Sequence, residues 1–215
     1  MRSLAITVGA IACALLLSPA QTYAQASMSS ILTGKTTLTW VGIDFSHVQL
    51  ATRADFGDLE NAGPGYFARW NYLLEQEPAK FDMTGALKLG YVKHVTSVVQ
   101  PINDAIDISK CFPVTIQAFD RERVHDMIAR YDMSGFEGAG VVLLAHSMSK
   151  PALRGEFVVV FFDAQTKEVL HAEQISGKPM GFGLRNFWAG AVANVIKEIN
   201  GTYQKAWEAK YVKGK

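Results

Sequence analysis

Cysteine is nearly absent from this chain. Its 215 residues include two, Cys13 and Cys111, and Cys13 falls in the segment read below as a leader. One remaining cysteine excludes an intrachain disulfide, so stability must come from a core. Cys111, beside Phe112-Pro113, reads as a small buried apolar residue rather than a nucleophile. Long apolar runs are missing as well. A membrane-spanning helix needs about 20 apolar residues. The first run, Leu4 to Leu17, is shorter, and the longest later one, Phe157 to Phe162, has the length of a strand. No transmembrane segment is expected. There is no excess of one charge: 21 basic residues face 20 acidic ones, and losing Arg2 with the leader leaves 20 against 20. Nucleic-acid binding wants a basic stripe, which a neutral chain does not supply.

Metal and catalytic motifs are missing too. The histidines are His47, His94, His125, His146 and His171, and none stands at ligand spacing from another histidine or a carboxylate. Asp55, Asp58 and Glu60 lack a calcium-loop pattern and read as a solvated loop before the Asn61-to-Gly65 turn. No Gly-x-Ser-x-Gly elbow occurs. No metal, no cofactor and no catalytic residue is assigned, and whether the protein is an enzyme stays open, the balance being against.

What is present begins at the first residue. Met1-Arg2, the apolar run, the breaker Ser18-Pro19 and the small residues up to Ala26 follow the plan of a secretory signal peptide. Cleavage is expected after Ala24 or after Ala26. That gives a signal peptide over 1–26, one domain over 27–215, and a periplasmic or secreted location. A rival reading is a lipoprotein acylated at Cys13, but Ala10-Ile11-Ala12-Cys13 fits that signal loosely and leaves Ala14 to Leu17 beyond the anchor. A mature chain of about 190 residues suits a single domain.

Thr36 to Ile43 reads as a first strand, apolar on both faces and so covered on both sides. Val48 to Ala51 is a second short apolar run. Tyr66 to Gln76 has helical spacing and stops at Pro78; Asp82 caps a short helix to Leu89. Tyr91 to Val99 is read as a strand because β-branched residues dominate. Asp120 opens the best-capped helix, with Phe119 and Val124 as a hydrophobic staple. Gly138 to His146, Glu156 to Phe162 and Glu168 to Ile175 form three strands with short connections, an antiparallel meander. A long helix runs from Leu184 to about Ala209, with the stripe Trp188, Val192, Val195, Ile199, Tyr203 and Trp207. The expected fold is α+β: a largely antiparallel sheet of four to five strands packed against the long C-terminal helix and two or three shorter helices.

Two segments carry the candidate site residues. Asp44-Phe45-Ser46-His47 holds an acid, a hydroxyl and an imidazole. On an extended chain Ser46 and His47 point to opposite sides, so no local triad forms, and a strand end with Asp and Ser bonded to nearby backbone is the simpler reading. Gly181-Phe182-Gly183-Leu184-Arg185-Asn186 follows a strand and opens a helix, a place where anions bind, with Lys178 and Arg185 adding positive charge. Asn186 stands where a dinucleotide fingerprint needs its third glycine. The simpler reading is a tight turn, with Phe182, Phe187 and Trp188 packed.

Thr39-Trp40-Val41-Gly42-Ile43-Asp44-Phe45-Ser46, Val158 to Asp163 and Gly181 to Gly190 together resemble a family of exported, uncharacterised envelope proteins of Gram-negative bacteria. The resemblance spans about Thr36 to Ile199. It implies location and a single intact domain, and it transfers no activity. Two functions follow as expectations. The first is a non-catalytic envelope module binding a partner protein, a glycan or a small ligand, with Asp44, Ser46, Lys178, Gly181, Gly183, Arg185, Asn186 and Trp188 as candidates. The second is a small-substrate hydrolase or anion-binding enzyme that gathers Asp44, Ser46, Arg185 and Asn186 in one pocket.

Overall fold

The computed structural model describes residues 25–57, 59 and 65–214. Residues 1–24 of the leader, with Cys13, and Asp58, Glu60 and most of the Asn61-to-Gly65 turn lie outside the described residues. No described helix is long and apolar enough to cross a membrane.

The strands are β1 (Leu38–Asp44), β2 (Gln49–Leu50), β3 (Lys93–His94), β4 (Ala139–Ser149), β5 (Arg154–Asp163) and β6 (Val169–Gly177). They form one sheet in the order β3-β1-β4-β5-β6, with β2 also paired to β4. The expected meander is there: β4-β5 and β5-β6 are antiparallel. The sheet as a whole is mixed, which corrects the largely antiparallel expectation, because β1, β2 and β3 all enter parallel to their neighbours. The reason is the connection. Short turns force strands to reverse, whereas the long helical stretch between β1 and β4 lets the chain cross over and return in the same direction.

The helices are α1 (Met28–Leu32), α2 (Tyr66–Gln76), α3 (Met83–Leu87), α4 (Gln100–Asp104), α5 (Arg121–Ala129), α6 (Leu184–Glu198) and α7 (Gln204–Tyr211). Asp82 and Asp120 cap α3 and α5 through their side chains, as their positions predict. The long C-terminal helix is interrupted. A π-helical turn, Ile199–Tyr203, joins α6 to α7, where Asn200-Gly201-Thr202 are weak helix formers. The apolar stripe survives the interruption: Trp188, Val192, Val195, Ile199 and Trp207 are all buried.

The sheet divides the core into two layers. The larger holds Trp40, Ile43, Val141, Leu143, Phe157, Phe161 and the α6 stripe. The smaller holds Val41, Val142, Leu144, Val160, Phe162 and the apolar face of α5. All of β1 is buried, as a strand covered on both sides must be. The helix α6 lies so close to β6 that a Cβ on Gly177 would stand 2.0 Å from the Ala191 carbonyl oxygen. Only glycine permits that approach.

The expected strand over Tyr91 to Val99 shrinks to Lys93–His94, followed by a 3-10 turn at Thr96–Val98. Its partner explains this. Beyond Trp40 the register of β1 shifts, and Gly42 adopts a positive φ of 95°. On the other side β4 resumes its pairing at Ile43 and Asp44, but the β3 ladder stops at Trp40, where the bulge disrupts it.

A candidate ligand cleft at the carboxyl end of β1

Where the β3 side of the β1 ladder ends, two buried asparagines take its place. The Ile43 N–H donates to Asn71 Oδ1 at 2.7 Å, and Asn71 Nδ2 returns a bond to the Ile43 carbonyl at 2.8 Å. Asn103 Nδ2 shares that carbonyl at 2.8 Å, while Asn103 Oδ1 accepts the Phe45 N–H at 2.8 Å. A primary amide offers a donor and an acceptor side by side, the pattern a missing strand would have supplied. Asn71 on α2 and Asn103 on α4 therefore fix the point where β1 turns.

The turn residues Ser46 and His47 both reach the α5 segment. Asp44, fully buried, accepts the Ser46 N–H at 2.7 Å and the Tyr131 hydroxyl at 2.8 Å. Arg130 Nη2 stands 3.8 Å from Asp44 Oδ2, the oxygen that Tyr131 also bonds, and donates to Ser46 Oγ at 2.8 Å. Arg123 Nη2 lies 3.0 Å from His47 Nδ1. A guanidinium only donates, so Nδ1 accepts and the imidazole proton sits on Nε2. Burial, then Arg123 and Arg130, hold the His47 pKa below its ordinary value, with Asp44 opposing. Burial also raises the Tyr131 hydroxyl well above its usual range, and the Asp44 carboxylate adds to it. The expectation that Asp44 bonds nearby backbone holds at Ser46. Ser46 and His47 each meet an arginine of one helix and its flank, Arg130 and Arg123, seven residues apart.

Ser46, His47, Arg123 and Arg130 line a cleft of about 740 Å³ at the carboxyl end of β1. In open sheets with parallel strands that end is the usual place for ligands. Ile102, Ala105 and Ile106 give it an apolar wall. Gln49 on β2 closes another side by exchanging two bonds with the Gln117 backbone, at 2.6 and 2.7 Å. Cys111 borders the cleft but is buried, and burial followed by the nearby Asp107 pushes its thiol up to about 11. It is protonated at neutral pH, unlike a reactive cysteine. Among the described residues, no three histidine, cysteine, aspartate or glutamate side chains cluster in a way that could hold a metal ion.

No protein-family model matches this chain, and no curated protein matches it either.

The Lys178-to-Trp188 candidates stand apart from this cleft. Trp188 is fully buried in the larger core layer, stacked on Phe56 at 5.5 Å, whereas Asp44 bonds Tyr131 in the smaller layer on the other face of the sheet. Lys178, Arg185 and Asn186 are exposed. Gly181 and Gly183 have φ of 123° and 74°, so both glycines serve the turn into α6. Phe182 does not pack as expected; it is 94% exposed. Asp44 and Ser46 are joined by a hydrogen bond, and neither Arg185 nor Asn186 lines the cleft that Ser46 borders.

Sequence reading missed Arg123, Arg130, Tyr131, Asn71 and Asn103. Asn71 left a trace: it lies beside Trp70 in a helix whose stripe includes Leu73 and Leu74, where a polar residue needs a buried partner. The arginines left none, since one at the cleft and one in solvent look alike in a sequence.

Proposed function

We propose that the protein is an exported, non-catalytic binding module of the cell envelope, periplasmic or secreted, and that the cleft beside Ser46 and His47 is its ligand site. The leader pattern and the resemblance to exported envelope proteins support the location. One observation carries the binding reading. The polar side chains of the cleft hold one another in a fixed arrangement that contains no nucleophile–base pair. Ser46 Oγ accepts from Arg130 and His47 Nδ1 accepts from Arg123, and among the described residues no hydrogen bond joins Ser46 to His47. Nucleophilic catalysis needs a base within about 3 Å of the hydroxyl.

Of the two cleavage points, the one after Ala24 suits the fold better. Ala26 is buried, and its N–H donates to Asp163 Oδ2 at 2.8 Å. Cleavage after Ala26 would remove that anchor. The intact mass of the exported protein distinguishes the two.

The binding reading is tested with Ala105→Trp, which narrows the cleft from an exposed position. The wild type is expected to be stabilised against heat by members of a small-molecule library, and the variant to lose that stabilisation. Turnover of ester or phosphoester substrates that Ser46→Ala abolishes would overturn the reading.

A further inference from the structure

We infer that the cleft takes a small organic oxyanion, a carboxylate or phosphate, with its charged head on Arg123 and Arg130 and its carbon part along Ile102, Ala105 and Ile106. This rests on reading the cleft as the binding site and names the class of ligand.

Arg130 has Asp44 at 3.8 Å, and Lys110 has Asp107 at 3.4 Å. Arg123 has no carboxylate within ion-pair distance among the described residues. Its Nη2 donates to a neutral imidazole, its guanidinium lies 5.2 Å from the centre of the Phe119 ring, and its Nε is buried with no acceptor. A partly buried cation with unused donors is costly unless something supplies negative charge and lone pairs. Carboxylates and phosphates supply both, in a shape that matches the guanidinium fork.

Geometry points the same way. Arg123 and Arg130 are seven residues apart, two turns along one side of the α5 segment, and their guanidiniums converge on the adjacent residues Ser46 and His47. His47, with its proton on Nε2, adds a donor rather than a base. The acid at the rim, Asp107, is already engaged by Lys110 and by the Ser109 backbone and hydroxyl, the latter two at 3.1 and 2.6 Å. The apolar wall suits a carbon skeleton, and about 740 Å³ is the size of a metabolite site.

Calorimetry at low salt tests this with hexanoate, hexyl phosphate, inorganic phosphate and the neutral hexanamide. Hexanoate and hexyl phosphate are expected to bind, inorganic phosphate more weakly, and hexanamide not at all. Arg123→Gln should weaken binding by about 10-fold or more, and Arg123→Lys by less, because one lost charge-assisted bond is of that size. The ligand-free melting temperature of each variant shows that it folds. If hexanamide binds as well as hexanoate, or Arg123→Gln binds hexanoate like wild type, the oxyanion inference is overturned. The cleft reading then stands or falls separately, on whether Ala105→Trp abolishes whatever binding is seen. No binding by any of the four probes also overturns the inference. Sedimentation with phosphatidylglycerol vesicles, competed by hexyl phosphate, would support it and assign a lipid headgroup as the source; a lack of sedimentation alongside hexanoate binding supports it and assigns a free metabolite.

Discussion

In the turn after β1, Asp44, Ser46 and His47 each bond a side chain of α5 or of the two residues that follow it. In the turn before α6, Phe182 is 94% exposed and the two glycines carry positive φ. Both turns follow a strand, and both looked chemically loaded in the sequence. What separates them is the partner. The first turn faces α5 and the two residues after it, which bring two arginines and a tyrosine, and three short-range polar groups become a network. The second packs only on its own helix, where the Met180 N–H donates to the Phe187 carbonyl and Asn194 Nδ2 donates to the Lys178 carbonyl. A polar motif becomes a site when a second element closes on it.

The sharpest contrast between the two turns comes from deleting what anchors each. Trp188→Ala should cost about 3–5 kcal/mol, since it empties a fully buried site stacked on Phe56. Urea unfolding measures this, and hexanoate affinity of the folded fraction should be unchanged. Asn103→Ala should cost about 2–3 kcal/mol by orphaning the Phe45 N–H. Unlike the first variant it should also weaken hexanoate binding, because the turn that carries Ser46 and His47 loses its fixed start.

Tyr131→Phe comes next. It removes one donor from the buried Asp44 carboxylate and should cost about 1–3 kcal/mol, again by urea unfolding. Acidification gives a smaller effect. The folded pKa of His47 lies below the ordinary 6.5, with Arg123, Arg130 and Asp44 as its charged neighbours. The unfolded chain therefore binds the proton more readily, so the contribution is fully present above 6.5 and is lost as pH falls toward the folded value. His94 and His171 shift in the same direction through burial. Stability should fall below pH 6.5, and His47→Asn should make that slope shallower. The smallest effect belongs to Phe182→Ser, which should stay within about 0.5 kcal/mol and leave binding intact. A large effect of this change on binding would reverse the ranking of the two turns.

Local patterns were legible in the sequence. Asp82 and Asp120 caps, the Tyr66–Gln76 helix and the β4-β5-β6 meander each follow from a few neighbouring residues. The parallel entry of β1 was not, because it depends on a crossover of many elements. Asp44 and Ser46 were visible as a motif, but their partners are 84 to 87 residues away along the chain, and no local spacing marks such a pair. Gly181 and Gly183 were visible as a turn, and only the turn was needed.

The nitrogen shifts of the His47 ring, followed by NMR as hexanoate is added, test the account most directly. At pH 7 an unprotonated Nδ1 and a protonated Nε2 are expected, with hexanoate moving the His47 signals while the Trp188 indole stays still. A proton on Nδ1, or a response at Trp188 with none at His47, would contradict it.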